Sequence, residues 1–387
     1  MSRAKANVNP QMLVWARGAS GFSVDEAARK LGISVEKLKK WESGEDKPTF
    51  KQLEHIGHLY HRPTAMFYLK EQPSNPPTIP DFRVPYGEDG DSSPELLYEI
   101  RQAFERRETA LELMEGLQEK SQEYPIKAHL HESPETVAAR IRALIGIGID
   151  DQLSWGTDNE ALNKWIAAIE RMGVLVFHAT RVPIEQMRGF SITEPVLPVI
   201  TINIKDSIRG RIFTLFHELT HVALRNGGIC DLRRTSNRHD RVEIFCNNVA
   251  GEVLVPRYAL LDEELVKEKR KSLIWADWEL NRLANRFKVS QEVILRRLLV
   301  LGRTSREFYE EKRRLYETEY SRQRERGKKG GYMPYEKKIV RMNGRTYTGL
   351  VLSAYQNNVI GLYDVSTYLG GIKLTHLGKI ENELVGH

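Results

Sequence analysis

Along most of this chain apolar residues recur every three or four positions, the spacing of helices that bury one face, with a strand-like stretch between about residues 174 and 203. Ser23-Val-Asp-Glu26 has the spacing of a capping box and opens a helix from Val24 to Leu31, with Ala27, Ala28 and Leu31 on its inner face. Gly32 ends that helix and Ile33 packs into the turn. Ser34 then caps a second helix, with Val35, Leu38 and Trp41 inside and Glu36, Lys37, Lys39 and Lys40 outside. Two helices joined by a short glycine-containing turn define a helix-turn-helix unit within a small all-α bundle spanning Phe22 to Leu69. His55, His58 and His61 follow at three-residue steps, which drift about 60° each, so they are expected on a helix face rather than around a metal.

The proline-rich run from Glu71 to Pro80 reads as a semi-extended connection, and residues 88–93 as a further loop. Helices are predicted from Pro94 to about Glu119, from Thr136 to Ile145 and from Leu162 to Arg171. Val174-Leu-Val-Phe177 and Pro198-Val-Ile-Thr-Ile-Asn203 are β-rich, and Val199 to Ile202 is expected to offer an edge to an extended peptide. Arg211 to Leu224 is an apolar helix, and Glu243 to Pro256 carries a second, with Ile244, Val249, Val253 and Leu254 as its apolar positions. From Leu280 to Leu301 the pattern suggests another helix-turn-helix with Ser290 as cap, either a second DNA contact or, as favoured here, a unit that packs on the core.

Residues 305–326 are highly charged, with Phe308, Leu315 and Tyr316 as the large apolar band, and this helix is free to project or to pair with another copy, so a homodimer is open. Lys328-Lys-Gly-Gly331 breaks it. Asn343-Gly344 between Ile339-Val340 and Tyr347 predicts a hairpin, while Leu350 to Ala354 and Val365 to Leu369 are expected to be helical. The resulting division is a head at 1–70, a linker at 71–95, an α+β core at 96–305, and at 306–387 a charged helix with a small partner-binding domain.

With 387 residues the chain is long enough for two or three cores, and its net charge of +6 is compatible with nucleic acid without demanding it. Only Cys230 and Cys246 are present, which excludes a disulfide framework and suggests reduced thiols. No signal peptide opens the sequence and no apolar stretch is long enough for a bilayer, so a cytoplasmic protein without a membrane partner is expected.

The strongest chemical signal is His217-Glu218-Leu-Thr-His221. At 3.6 residues per turn its two histidines stack on one helix face and reach one metal ion, while Glu218 projects about 100° away, placed to hold a water. A hydrolytic Zn2+ takes three protein ligands and keeps a position open. Glu243 is the expected third ligand and Glu252 its competitor; nine residues apart on one helix, they point to opposite sides. His239 and Asp240 rank lower as ligands, and His239 is also placed to donate to a developing oxyanion. Glu218 is then the catalytic base, taking a proton from water and returning it to the leaving amine.

These residues carry a resemblance that covers most of the chain. The zinc helix, the segment Glu243-Ile-Phe-Cys246-Asn247-Asn-Val-Ala250-Gly-Glu252-Val-Leu-Val-Pro256, and the words Pro80-Asp81-Phe82-Arg83 and Arg188-Gly-Phe190 resemble the ImmA/IrrE metallopeptidases. Trp41-Glu-Ser-Gly44 and Lys47-Pro48-Thr49 resemble the subgroup with an N-terminal XRE-type helix-turn-helix. The resemblance implies a gluzincin-like fold, zinc held by His217, His221 and Glu243, and cleavage of a DNA-bound repressor. The chain departs from the family pattern at Thr220, usually glycine, and at Cys246, usually alanine. Lys37, Lys39, Lys40 and Lys47 become the DNA-contact candidates, although Glu36, Glu42 and Glu45 dilute the patch and such units also dock proteins. A reading of another class stays open: a DNA-binding regulator or antitoxin with a structural or vestigial zinc site, whose tail grips a toxin.

Overall fold

Side-chain caps mark the starts of the helices of the head. Ser23 accepts from the Glu26 amide while the Glu26 carboxylate reaches back to the Ser23 amide, closing a capping box on α2 (Val24–Leu31). Gly32 leaves it in the left-handed region at φ 68°, and Ser34 caps α3 (Val35–Ser43). Thr49 and Gln52 close a second box on α4 (Phe50–Tyr60). With α1 (Pro10–Ala19) before them and a 3-10 turn at Thr64–Tyr68 after, these helices enclose Met12, Leu13, Ala28, Leu38, Trp41 and Phe67, the helix-turn-helix bundle expected of the pattern. Val35 is only half-buried, at the rim of that core.

The computed structural model describes residues 4–73, 93–225, 229–230, 239–269, 272–325 and 333–385. The words Pro80-Asp81-Phe82-Arg83 and Lys328-Lys-Gly-Gly331 lie outside them. Two compact units emerge, Met1–Glu105 and Arg106–His387, and the division falls inside the long helix α5 (Pro94–Gly116).

The second unit is α+β. Helices α6 (Pro134–Ile145), α7 (Ile149–Ser154) and α8 (Asp158–Glu170) lead into β1 (Leu175–Ala179), β2 (Gly189–Ile192) and β3 (Val199–Asn203). Helix α9 (Ile208–Leu224), the two-residue β4 (Ile229–Cys230) and α10 (His239–Leu254) follow. The four-stranded sheet has the order β1-β3-β2-β4, with β1 parallel to β3 and β2 antiparallel to both β3 and β4. Every residue of β1, β2 and β3 is buried. Strand β3 is therefore interior, hydrogen-bonded on both sides, and the expectation that Val199 to Ile202 forms a peptide-binding edge is corrected. A continuous apolar run suits a strand covered by neighbours, which leaves no free ladder.

Helix α9 crosses this core, with Ile212, Leu215, Phe216 and Leu219 buried against Trp165, Ile200 and Val249. The Trp165 ring meets Phe216 edge-on at 4.9 Å. Beyond α10 come α11 (Arg257–Asp262) and α12 (Glu264–Lys269), then α13 (Asp277–Phe287) and α14 (Gln291–Val300). Ser290 caps α14 as expected, and Leu283, Phe287, Ile294 and Leu298 lie in the same core, so this second helix-turn-helix-like unit packs rather than protrudes. In α15 (Arg306–Glu325) Phe308 and Tyr316 lie against the core while Leu315 stays exposed.

The described part of the tail carries the helices α16 (Tyr335–Asn343), α17 (Arg345–Gln356), α18 (Leu362–Tyr368) and α19 (Leu377–Val385). The expected hairpin at Asn343-Gly344 is absent, and the pair instead separates α16 from α17. A two-residue hairpin turn of that kind needs positive φ at both positions, and only Gly344 has it, at 76°. Asn343 is buried and donates through Nδ2 to the Ile339 carbonyl at 3.1 Å, ending α16 from within. Within the second unit the tail helices pack on the sheet side: the Tyr347 ring stands edge-on to Phe177 of β1 at 5.9 Å, and the Thr346 amide donates to Glu170. Glu170, buried there, is pushed up to about 7 by desolvation.

A Cβ on Gly344 would stand 2.5 Å from the Val176 carbonyl oxygen in a conformation open only to glycine, whereas one on Gly349 of α17 would meet open space. Gly344→Ala is expected to cost roughly 2–3 kcal/mol in urea unfolding, and Gly349→Ala to be neutral or to stabilise by about 0.5–1 kcal/mol. Equal midpoints for the two variants would contradict the packing of this turn on β1.

Candidate metal centre

One turn of α9 and one turn of α10 bring three donor side chains to a common point. His217 and His221 stack at i, i+4 with their Nε2 atoms 3.1 Å apart. Glu243, in the first half of α10, places Oε2 3.2 Å from His217 Nε2 and Oε1 3.1 Å from His221 Nε2. His217 and His221 are buried and Glu243 half-buried. A tetrahedral zinc with bonds of about 2.0–2.1 Å spaces its donors about 3.3 Å apart, so this donor set fits that ion closely in type and separation. Among the described residues no other group of His, Cys, Asp and Glu side chains meets so closely; His55 and His58 point outward from α4, as expected.

Neighbouring groups orient the donors. His217 Nδ1 lies 3.2 Å from Asn247 Oδ1; an amide oxygen can only accept, so the proton sits on Nδ1 and the Nε2 lone pair faces the cluster. Asn247 belongs to the same α10 turn that supplies Glu243. Ser191 of β2 donates to Glu218 Oε2 at 2.9 Å, while Glu218 Oε1 is buried without a partner. Gly189 makes this approach of β2 possible, because a Cβ there would stand 2.5 Å from Thr214 Cγ2 and 3.3 Å from Glu218 Cγ. Thr220, in place of the usual glycine, fits by turning its hydroxyl onto the Phe216 carbonyl at 2.8 Å.

Burial raises the Glu218 carboxyl above its ordinary range, although His221, His217 and Ser191 act against that shift. Glu243 is also desolvated, yet its close contacts with the His217 and His221 rings prevail and hold it well below the usual carboxylate range. At His221 burial disfavours the charged ring, but the adjacent Cys246 thiol, Glu243 and Glu218 outweigh it and raise the pKa. Desolvation pushes the pKa of the free, buried Cys246 up, although His221 acts against that shift.

The competitor Glu252 faces elsewhere, as its spacing from Glu243 requires. Its Oε1 accepts from the Arg257 amide at 2.8 Å, and its Oε2 pairs with the buried Arg297 of α14. The side chains of His239, Asp240 and Cys230 lie outside the described residues. In the head, Lys37, Lys39 and Lys40 are exposed on α3 and Lys47 is exposed beyond it. Lys37 lies over the Trp41 ring at 5.5 Å and Lys47 donates to Asn7 Oδ1 at 2.7 Å, so Lys39 and Lys40 are the less constrained pair. Ser191 and Gly189 had no signal beyond their neighbourhood to the Arg188-Gly-Phe190 word, because strand and helix meet only in the fold.

Residues 169–299 match the family model described as the IrrE N-terminal-like domain, peptidase M78, and residues 13–64 match that for a helix-turn-helix. The first match contains β1 to β4, α9 and α10, and with them His217, Glu218, His221 and Glu243. The chain therefore carries a helix-turn-helix domain near its start and, in the second unit, an IrrE N-terminal-like domain of the peptidase M78 family. No curated protein matches the chain. Among the described residues no helix is long and apolar enough to cross a membrane.

Glu252→Ala leaves Arg297 buried without the carboxylate it pairs with, and a loss of about 3–5 kcal/mol in chemical unfolding is expected. A Glu252→Ala variant as stable as the parent would show that this carboxylate does not hold α14 to α10.

Proposed function

We propose that this protein is a zinc-dependent endopeptidase tethered to a DNA-binding head, and that it cleaves a regulatory protein such as a transcriptional repressor. The supporting observation is the convergence of two imidazole nitrogens and one carboxylate, within 3.1–3.2 Å of one another, beside a buried glutamate with one oxygen unpartnered. His217, His221 and Glu243 are the proposed ligands, and this leaves a tetrahedral ion one open position. When bound, zinc supplies a Lewis acid that lowers a water's pKa to about 7 and polarises a peptide carbonyl.

Glu218 does the proton work. Ser191 fixes its Oε2, and the buried Oε1 takes a proton from the attacking water and hands it to the leaving amine nitrogen. Burial raises the affinity of this carboxyl for a proton, which suits a group that must hold one between two steps. Asn247 keeps His217 in the tautomer whose Nε2 can ligate. With β3 enclosed, the extended substrate is assigned to the β2–β4 margin of the sheet, where Ser191 already touches Glu218. The DNA head is assigned to residues 1–70, with Lys39 and Lys40 of α3 on phosphates or base edges and Lys37 and Lys47 as auxiliary contacts.

Glu218→Gln is expected to bind zinc like the parent and to lose proteolysis by several orders of magnitude. Comparing cellular protein fragments between the two identifies the substrate; identical fragments in both would refute the peptidase, and an uncut, tightly held partner in both would favour an antitoxin. Replacing Lys39 and Lys40 with alanine should weaken DNA binding at every sequence alike and flatten the salt dependence by about 2 in log–log slope. An unchanged slope would remove α3 from the DNA interface.

A further inference from the structure

A buried carboxyl stands where the tail turns against the sheet. Glu170 ends α8 and is 7 % exposed. Its Oε1 faces the start of α17: it accepts from the Thr346 amide at 3.4 Å, and a Cβ on Gly344 would stand 3.0 Å from it. Gly344 brings no side-chain cap to α17, so this carboxyl, carried by another element, takes the place of one. The same glycine lies against the Val176 carbonyl of β1, the outer strand of the sheet, and Tyr347 meets Phe177 of that strand. Residues 344–347 thus join the carboxyl and the strand to the tail.

A carboxylate is badly served in this position. The amide contact is long, and the cation that bears on Glu170 is committed elsewhere: Arg345 Nη2 donates to the Glu383 and Leu384 carbonyls at 3.2 and 2.7 Å. Desolvation therefore prevails and pushes Glu170 up to about 7, although Thr346 and Arg345 act against it. The other ionisable groups of the junction are Arg171 beside it on α8, Arg341 of α16, Arg106 of α5 over the Phe177 ring at 5.2 Å, and His178 of β1. Burial keeps His178 neutral, and the arginines and the N-terminus of α17 all favour a negative charge. What opposes ionisation here is the loss of water.

We propose that Glu170 is a pH-dependent latch for the tail: its neutral carboxyl holds the α16–α17 turn on the outer strand, and its ionisation loosens that turn. A neutral carboxyl still accepts the Thr346 amide and leaves no charge out of water, whereas the ionised form draws solvent into the contact of Gly344 and Tyr347 with β1. Linkage fixes the direction. The proton is held more tightly when the tail is docked, so it stabilises docking fully below the ordinary value of 4.5, and the gain is lost as pH rises through about 7. The docking equilibrium is then about tenfold more favourable at pH 6 than at pH 8.

Hydrogen–deuterium exchange of the full chain at pH 6, 7 and 8, corrected for the intrinsic exchange rate, reads this locally. Protection of α17 should fall about tenfold from pH 6 to pH 8, while α2, α3 and α4 of the head keep theirs. Glu170→Gln, which keeps the shape without the charge, should hold the pH 6 level at all three values. His376→Gln, which removes the titration of the tail histidine beside Tyr335, should leave the response of the parent intact. Together with the parent it decides the matter if Glu170→Gln does not fold. Equal or greater protection of α17 at pH 8, a fall shared equally by the head, or a response that persists in Glu170→Gln or vanishes in His376→Gln would overturn the proposal.

Discussion

The whole second unit is organised around holding three lone-pair donors about 3 Å apart inside a hydrophobic core. Two imidazoles and a carboxylate at that separation have too few protons among them to satisfy one another, and burial removes the water that would otherwise do so. The arrangement persists because each donor is carried by a rigid helix, and the helices are locked by apolar contact through Phe216, Val249 and Val253. Asn247 and Ser191 supply the polar restraints that packing alone cannot. Sheet, helix α9 and helix α10 are thus one device, and the backbone glycine at 189 is the clearance that lets β2 come close enough to take part.

Much of this was readable from residues whose meaning is local. A capping box, a left-handed glycine and a cap serine are satisfied within four positions, so Ser23, Gly32 and Ser34 told the head's geometry directly. The histidine pair is local in the same sense, since helical pitch alone aligns i with i+4. Pitch also showed that only one of Glu243 and Glu252 could face the metal, the resemblance pointed to Glu243, and the structure adds the reason Glu252 faces away: it accepts from the Arg257 amide and neutralises Arg297.

What escaped the sequence depends on partners distant along the chain. Strand β3 shows the same apolar run whether it stands at an edge or in the middle, and only its pairing with both β1 and β2 decides. Asn343-Gly344 carries a strong hairpin signature, but the Asn343 side chain bonds within its own helix and Gly344 makes room for the β1 backbone, so tertiary packing overrides the turn. Ser191 is unremarkable in its local context and acquires meaning only through Glu218, which faces it.

The central claim is a coordination sphere of two imidazole nitrogens and one carboxylate oxygen. Zinc-edge X-ray absorption of the metal-loaded full chain tests it most directly, with Glu243→Ala measured beside it. The account predicts light-atom scatterers at about 2.0–2.1 Å with the multiple-scattering signature of two imidazoles, and loss of tightly held zinc in the variant. A sulfur scatterer at about 2.3 Å, which would bring in Cys246, or spectra identical with and without Glu243, would contradict it.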